Sequence, residues 1–364
     1  MATQYRYLLA DVITNQILAE LPLTAVSFTQ QLNTAGTFQG ELLLSGVNAA
    51  GLNVAASTIP GRCAIYVDRS GVLVWGGIIW ARDYTSSNQK LKITAREFES
   101  YFERRRITST QVYTNQDQLS IVQQLVTAAQ SVPYGNIGVQ IGSETSGILV
   151  SRTIYDYELK TYFAAIQDLS RNSQGFDFNI VVAYDGDGNP TKTLKLGYPR
   201  LGNTYSSTSA TVPTFELPAG NIVEYEYPED GSKAANTIYA IGAGSNPGRV
   251  TATAVDTTKT ASGWPLLEDQ ASYSDVFDST LLNNLAAGQV AAVSYPPTTI
   301  KLTYPAYVDP IFGTYNIGDQ ARLRITDQRF PTELDTNYRI VALTVQPGEA
   351  GPERVTLTLT NTAN

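Results

Sequence analysis

Gly61-Arg-Cys-Ala-Ile65-Tyr-Val67, Gly77-Ile78-Ile79-Trp80-Ala81 and Lys90-Leu91-Lys92-Ile93-Thr94 follow one another as three alternating segments with polar turns between them. Near the other end, Gly318-Asp-Gln-Ala-Arg-Leu323-Arg-Ile325, Arg339-Ile-Val-Ala-Leu343 and Arg354-Val-Thr-Leu-Thr358 repeat that order at similar spacing. Alternation of apolar and polar residues is the period of a half-buried strand. Each set therefore reads as a three-stranded meander. The match is one of pattern, with little residue identity and turns of different length. A duplicated small β-module points to a builder of rings or tubes more readily than to an enzyme.

Working outward, residues 1–108 read as β throughout. Tyr5 to Asp11 and Ile17 to Pro22 are strands about a Thr14-Asn-Gln16 turn. Ser27 to Leu32 and Thr37 to Leu44 flank Asn33-Thr-Ala-Gly36, where Asn33 or Gly36 supplies the positive φ of a hairpin. The period then changes. Asn115-Gln-Asp-Gln118 resembles a capping box, and Leu119, Val122, Val126 and Ala129 recur at helical spacing until Pro133. Leu159, Tyr162, Phe163, Ile166 and Leu169 make the stripe of a second helix, with Gly175 as its stop. Phe176 to Ile180 and Thr193 to Gly197 form a hairpin about Asp185-Gly-Asp-Gly-Asn-Pro190. Asn221 to Tyr227 and Asn236 to Gly242 return to β, 247–297 is irregular apart from a short helix over Leu281 to Gln289, and the second meander closes the chain.

Composition bounds the class. With 364 residues the chain exceeds a usual single core, so two to four domains are expected. An apolar fraction of 43% is that of a globular protein, and 22 tyrosines favour strands. A net charge of −8 argues against a general nucleic-acid-binding surface, although an acidic face can line a passage through which DNA moves without sticking. The single cysteine, Cys63, excludes an intrachain disulfide framework and fits a reducing compartment of synthesis. Alternating with Ile65 and Val67, Cys63 reads as a buried core thiol. The N-terminus lacks the basic stretch and apolar core of a signal peptide, and the longest apolar run, Val72 to Ala81, is about half of a roughly 20-residue membrane span. A soluble protein without an evident export signal is expected.

The chain contains no histidine, which removes Ser-His-Asp and Cys-His catalysis and histidine-ligated metal sites. Carboxylate chemistry, Ser-Lys pairs and oxygen-ligated metals remain. Asp185-Gly-Asp187-Gly-Asn189 resembles the start of a calcium loop, but Pro190 and Leu196 stand where that loop needs Gly and Glu, so a hairpin turn is the better reading and a weak surface calcium site the lesser one. Gly242-Ala-Gly244-Ser-Asn-Pro-Gly248 follows a strand, yet the next residues look extended, so it reads as a loop and not a phosphate cradle. Arg104-Arg-Arg106 lies within helical reach of Glu97, Glu99 and Glu103 and reads as a salt-bridge cluster. Glu224 and Glu226 share one strand face about 7 Å apart, a separation that glycosidases also use, although exposed strands commonly carry such pairs. No catalytic, cofactor-binding or metal residue is assigned, and no cofactor is expected.

One ordered series of residues remains. It comprises Asp11, Thr14-Asn15, Ile17-Leu18 and Glu20-Leu-Pro22; Leu32-Asn-Thr-Ala-Gly36; Trp75-Gly-Gly-Ile78; and Lys92-Ile-Thr-Ala-Arg96-Glu-Phe-Glu99 with Tyr101 and Arg106-Ile107. Late in the chain come Tyr315-Asn-Ile-Gly-Asp319 and Tyr338-Arg-Ile-Val341. Together these resemble the tail-tip (baseplate) hub proteins of long-tailed bacteriophages, which are similar to the central baseplate hub of contractile-tailed phages. The resemblance is strongest in the first 110 and last 60 residues, and 247–297 matches nothing in it.

The resemblance implies a mainly β, β-rich α+β chain with two tail-tube-like β-barrel modules. The parts would be a first barrel (1–108), an inserted α+β domain (109–214), return strands to the first barrel (215–246), a small middle domain or extended loop (247–297) and a second barrel (298–364). It further implies a homotrimer without enzymatic activity, joining the six-fold tube end to a three-fold tip. The implied partners are a distal tail protein ring, the C-terminus of a tape-measure protein, other tail-tip or receptor-binding proteins, and DNA in transit through the channel. The setting would be the virion tail tip, made in a host cytoplasm. The alternative class is a carbohydrate-binding or carboxylate-based glycan-hydrolysing β-protein, for which tyrosine and tryptophan platforms beside acids would serve.

Overall fold

The computed structural model describes residues 3–44, 57–172, 174–205, 211–218, 220–245, 247–294, 299–348 and 351–361. The expected 297/298 boundary and Asn246 of the glycine-rich loop lie outside the described residues.

The N-terminal strands are β1 (Tyr5–Asp11), β2 (Ile17–Glu20), β3 (Leu23–Gln31), β4 (Thr37–Leu43), β5 (Cys63–Arg69), β6 (Val72–Thr85) and β7 (Lys90–Glu97), followed by the one-turn helix α1 (Glu99–Phe102). Strands β5, β6 and β7 pair antiparallel in sequence, so the first quoted stretch is a meander. Six consecutive residues of β5 are buried, because the sheet is covered on both faces. Cys63, Ile65 and Val67 face one core with Leu9, Phe28, Phe38, Trp75 and Ile93. Ala64 and Tyr66 face a second core with Leu8, Ile78 and Phe98. Cys63 is thus a core thiol, and burial raises its pKa.

In the β3–β4 turn the positive φ belongs to Asn33 (φ 61°). Gly36 is required for a different reason. A Cβ there would lie 2.0 Å from the Thr29 carbonyl oxygen and 2.7 Å from the Glu97 carboxylate.

The next segment holds β8 (Gln111–Asp117), α2 (Gln118–Gln130), β9 (Val139–Ile141), β10 (Leu149–Ile154), α3 (Tyr162–Ser170), β11 (Asp177–Tyr184) and β12 (Pro190–Gly197). Asn115 lies in β8, and the cap of α2 is Asp117, whose carboxylate accepts the Leu119 and Ser120 N–H groups. Leu159 precedes α3 in a left-handed conformation, so the helix starts after Thr161, whose hydroxyl accepts from Ala164 N. The apolar stripes of α2 and α3 (Val122, Leu125, Phe163, Ile166) join Phe178 and Ile180 of β11 in the second core, which seats this segment on the outer face of the N-terminal sheet.

Beyond it lie β13 (Thr214–Leu217), β14 (Glu224–Glu226), β15 (Thr237–Ile241), β16 (Thr251–Val255), α4 (Thr257–Ala261), β17 (Glu268–Ser272) and α5 (Ser279–Val293). The stretch read as irregular therefore contributes β16 and β17, which flank β15 in a three-stranded sheet capped by Leu282 and Leu285 of α5. Its strands are five residues long and one of them, β17, is mostly exposed, so neither period stood out. The chain closes with β18 (Thr299–Pro305), β19 (Gln320–Ile325), β20 (Leu334–Gln346) and β21 (Arg354–Asn361), of which β19, β20 and β21 form the second meander.

The two expected barrels do not close. Among the described residues, both meanders belong to one open 13-stranded sheet running β14-β18-β21-β20-β3-β4-β7-β6-β5-β1-β2, with β19 and β13 branching from β20. One edge of β20 is shared: β19 takes its first half and β3 pairs with Ala342 to Val345. A closed N-terminal barrel would need β3 opposite β2. Because β3 gives that edge to β20, β2 has nothing to close upon. The fold is mixed α+β, dominated by antiparallel sheets with short helices. The strands expected to return to the N-terminal module pair elsewhere, β13 parallel to β19 and β14 antiparallel to β18.

A single core links the two meanders. Phe28 and Phe38 sit 6.5 and 5.3 Å from Trp75, while Phe215, Tyr304 and Leu357 continue the same apolar layer. Aromatic contacts of this kind contribute about 1 kcal/mol each beyond burial. The Trp75 indole N–H donates to the Thr29 carbonyl at 2.8 Å, so its polar atom is satisfied inside the core.

Candidate functional site

The candidate residues of the sequence lie at a hairpin turn, a loop and a sheet edge. Asp185 accepts the Asp187 and Asn189 amides at 2.9 and 2.8 Å, closing the β11–β12 hairpin. The glycine-rich stretch connects antiparallel β15 and β16. Glu224 and Glu226 stand exposed on β14 at the open end of the large sheet, the latter 3.7 Å from Lys301. Among the described residues, no group of three or more His, Cys, Asp or Glu side chains is arranged to hold a metal ion.

The expected cluster at Arg104-Arg-Arg106 is arranged differently. Arg104 lies over Trp80, Arg105 donates to the Ala129 carbonyl and Arg106 to the Leu159 carbonyl. Glu103 pairs with Arg96 at 2.6 Å, and Glu97 and Glu99 turn inward to full burial. A helix of only four residues cannot place these groups at i to i+4.

What the fold builds is a set of joints between its parts. At the first, Arg69 of β5 donates from Nε and Nη2 to both oxygens of Glu353 at 2.8 Å, with Phe312 beneath the guanidinium. Tyr5 donates to the same carboxylate. This bidentate clamp ties the N-terminal strands to the C-terminal ones. At the second, Asp177 of β11 accepts from Arg339 of β20, from Leu201 N at 2.9 Å and from Asn33 Nδ2 at 2.7 Å, so three segments meet on one carboxylate. At the third, Arg152 of β10 reaches Asp275 at 2.7 Å and Asp168 at 3.2 Å, while Lys160 bonds the same two acids at 3.0 and 2.6 Å. Arg152 and Asp275 have fully buried side chains. Burial pushes the Asp275 carboxyl up, but Arg152 and Lys160 together hold it below its usual value. A cleft of about 170 Å³ opens beside this joint, walled by Val112, Phe277 and Leu281.

Sequence reading missed all three joints, whose partners stand 284, 162 and 123 positions apart. Only an unpaired charge inside an apolar alternation, such as Arg152 in β10, marks them locally.

The open ends of the large sheet are the second feature. The β2 end exposes Ile17 and Leu18, with Ile13 half exposed in the turn before them, and Val223 is exposed beside β14. Apolar residues on unpaired edges are unusual in a chain that works alone.

No family model matches the sequence, and no curated protein matches it. Solved structures do. A tail protein from Neisseria meningitidis MC58 superposes with a TM-score of 0.61 at 12% identity, over 100% of this chain and 97% of that one. This chain shares the fold of that tail protein. The prophage MuSo2 43 kDa tail protein from Shewanella oneidensis gives a TM-score of 0.58 at 14% identity, over 98% of both chains. The prophage tail protein gp18 from Listeria monocytogenes EGD-e gives 0.53 at 13% identity, over 97% of this chain and 94% of that one. The shared fold spans nearly whole chains on each side, the middle stretch included.

Proposed function

We propose that this protein is a structural virion component that works as a trimeric tail-tip hub. It joins the six-fold end of a tail tube, at a distal tail protein ring, to a three-fold tip. It encloses the C-terminus of a tape-measure protein, contacts other tail-tip or receptor-binding proteins, and lines or closes the channel through which DNA passes. The observation that carries this reading is the pair of antiparallel meanders built into one sheet of a tail-protein fold. Two such modules in each of three chains offer six comparable units to a six-fold ring while keeping three-fold symmetry. The open β2 and β14 ends support assembly, since neighbouring chains would cover their exposed apolar residues.

The division into parts at 108, 214, 246 and 297 belongs to the same proposal. Virion location after assembly in a host cytoplasm follows from the role. Among the described residues, no helix is long and apolar enough to cross a membrane.

Sedimentation of the purified protein, alone and with isolated tube ends, tests the reading. The mass of three chains is expected in at least one condition. A strict monomer that also ignores the tube end would sink it.

A further inference from the structure

Glu97, Phe98 and Glu99 link β7 to α1 at the place where β11 sits down on the N-terminal sheet. All three are buried. The Glu97 carboxylate accepts the Gly36 N–H at 2.6 Å, and the Glu97 N–H donates back to the Gly36 carbonyl at 3.0 Å. Glu99 Oε1 accepts the Ile180 N–H of β11, whereas its Oε2 is buried with no partner. Beside them, Asn33 accepts the Phe178 N–H at 2.8 Å, so the first half of β11 hangs on Asn33 and Glu99. Phe98 packs on Tyr66 at 5.6 Å, and the Lys192 ammonium lies 4.8 Å from its ring centre.

The charged surroundings of the pair are few. On β7 and just beyond α1, Arg96 and Glu103 neutralise one another. On β11, Asp177 is held by Arg339. On β12, the buried Lys192 Nζ has no hydrogen-bond partner. The turn before β4 and helix α3 present Asn33 and Gln167, which do not titrate, while Asp168 of α3 is engaged with Arg152 and Lys160. No cation bonds either Glu97 or Glu99 among the described residues. A buried carboxylate without a cation is costly when ionised.

We propose that the Glu97–Glu99 pair is a proton-dependent latch: β11 and the segment it anchors stay seated while the pair holds a proton, and loosen once both carboxyls ionise. The latch is a property of the single chain and does not depend on the hub reading.

The direction follows from linkage. Burial, and for Glu97 also the charge of Glu99, raises both carboxyls, Glu99 to about 7. A group bound more tightly to its proton in the seated state contributes stability that is complete below its ordinary value and is lost as pH rises through the raised one. Seating therefore weakens from roughly pH 5 upward and continues to weaken past pH 7. Lys192, pulled down to about 8 by burial against the opposing charge of Asp11, acts the other way only above that pH.

Hydrogen–deuterium exchange of the whole chain at pH 5.5 and 8.5, corrected for intrinsic exchange rates, tests this. Protection of the Phe178 and Ile180 amides should fall tenfold or more at the higher pH, a factor of ten being one unit of linked pKa. The β20–β21 amides should hold theirs. Glu99→Gln keeps an acceptor for Ile180 N without a charge and should shrink the β11 response to the part that Glu97 carries. Protection of β11 in the wild type that is independent of pH overturns the latch, whether or not the variant folds. So does a Glu99→Gln protein that keeps the full wild-type response.

Discussion

Single residues decide how closely the parts of this chain approach. Gly36 is the sharpest case, because a methyl group there would occupy the space of the Thr29 carbonyl and the Glu97 carboxylate. Gly36→Ala should cost about 3 kcal/mol through forced displacement in a packed site, read as a lowered denaturation midpoint. The sequence showed a turn at 33–36 but not which residue held which duty, since backbone φ and through-space crowding leave different marks. Asp275 makes the complementary prediction. Asp275→Ala leaves the buried Arg152 charge to Asp168 alone and should cost about 2 kcal/mol at neutral pH. The Asp275 carboxyl is held below its usual value, so its contribution is present above the ordinary carboxylate range and lost as pH falls through the lowered one. The difference between wild type and Asp275→Ala should therefore shrink toward pH 3, the opposite sign to the Glu97–Glu99 latch. A gap that stays constant into acid would contradict it.

Elements with a strong period were legible, and those held by distant partners were not. Both meanders, the β11–β12 hairpin and the two amphipathic helices follow from alternation and 3.6-residue spacing. The cap of α2 was misplaced by two residues, because a capping-box spacing at Asn115 competes with the side chain that actually does the work. Asp117 caps the helix with one oxygen and with the other accepts the Ser146 and Gly147 amides at 2.9 and 2.7 Å. Asp117→Ala should thus cost about 2 kcal/mol, more than a cap alone. A midpoint unchanged within error would show that the loop re-forms without it. The joints were illegible for a general reason: a lone Arg69 or Glu353 in a strand reads as a surface charge until the fold brings them together.

At the scale of the molecule, the decisive departure from expectation is continuity. The resemblance implies two separate closed barrels, and the chain instead runs both meanders into one open sheet through the β3–β20 ladder. Sequence could not reveal this, since strand period specifies a face and says nothing about which edge finds a partner. An open sheet also changes what assembly must accomplish. Its β2 and β14 ends stand open among the described residues. Most of the candidate site therefore lies in relations between remote residues, while the absence of histidine already removed much enzymatic chemistry at the level of composition. End-on negative-stain images of the purified protein, bound to tube ends where needed, test the central claim most directly. The account predicts a three-fold ring with six lobes, two from each chain. Single, unringed copies in every condition would contradict it.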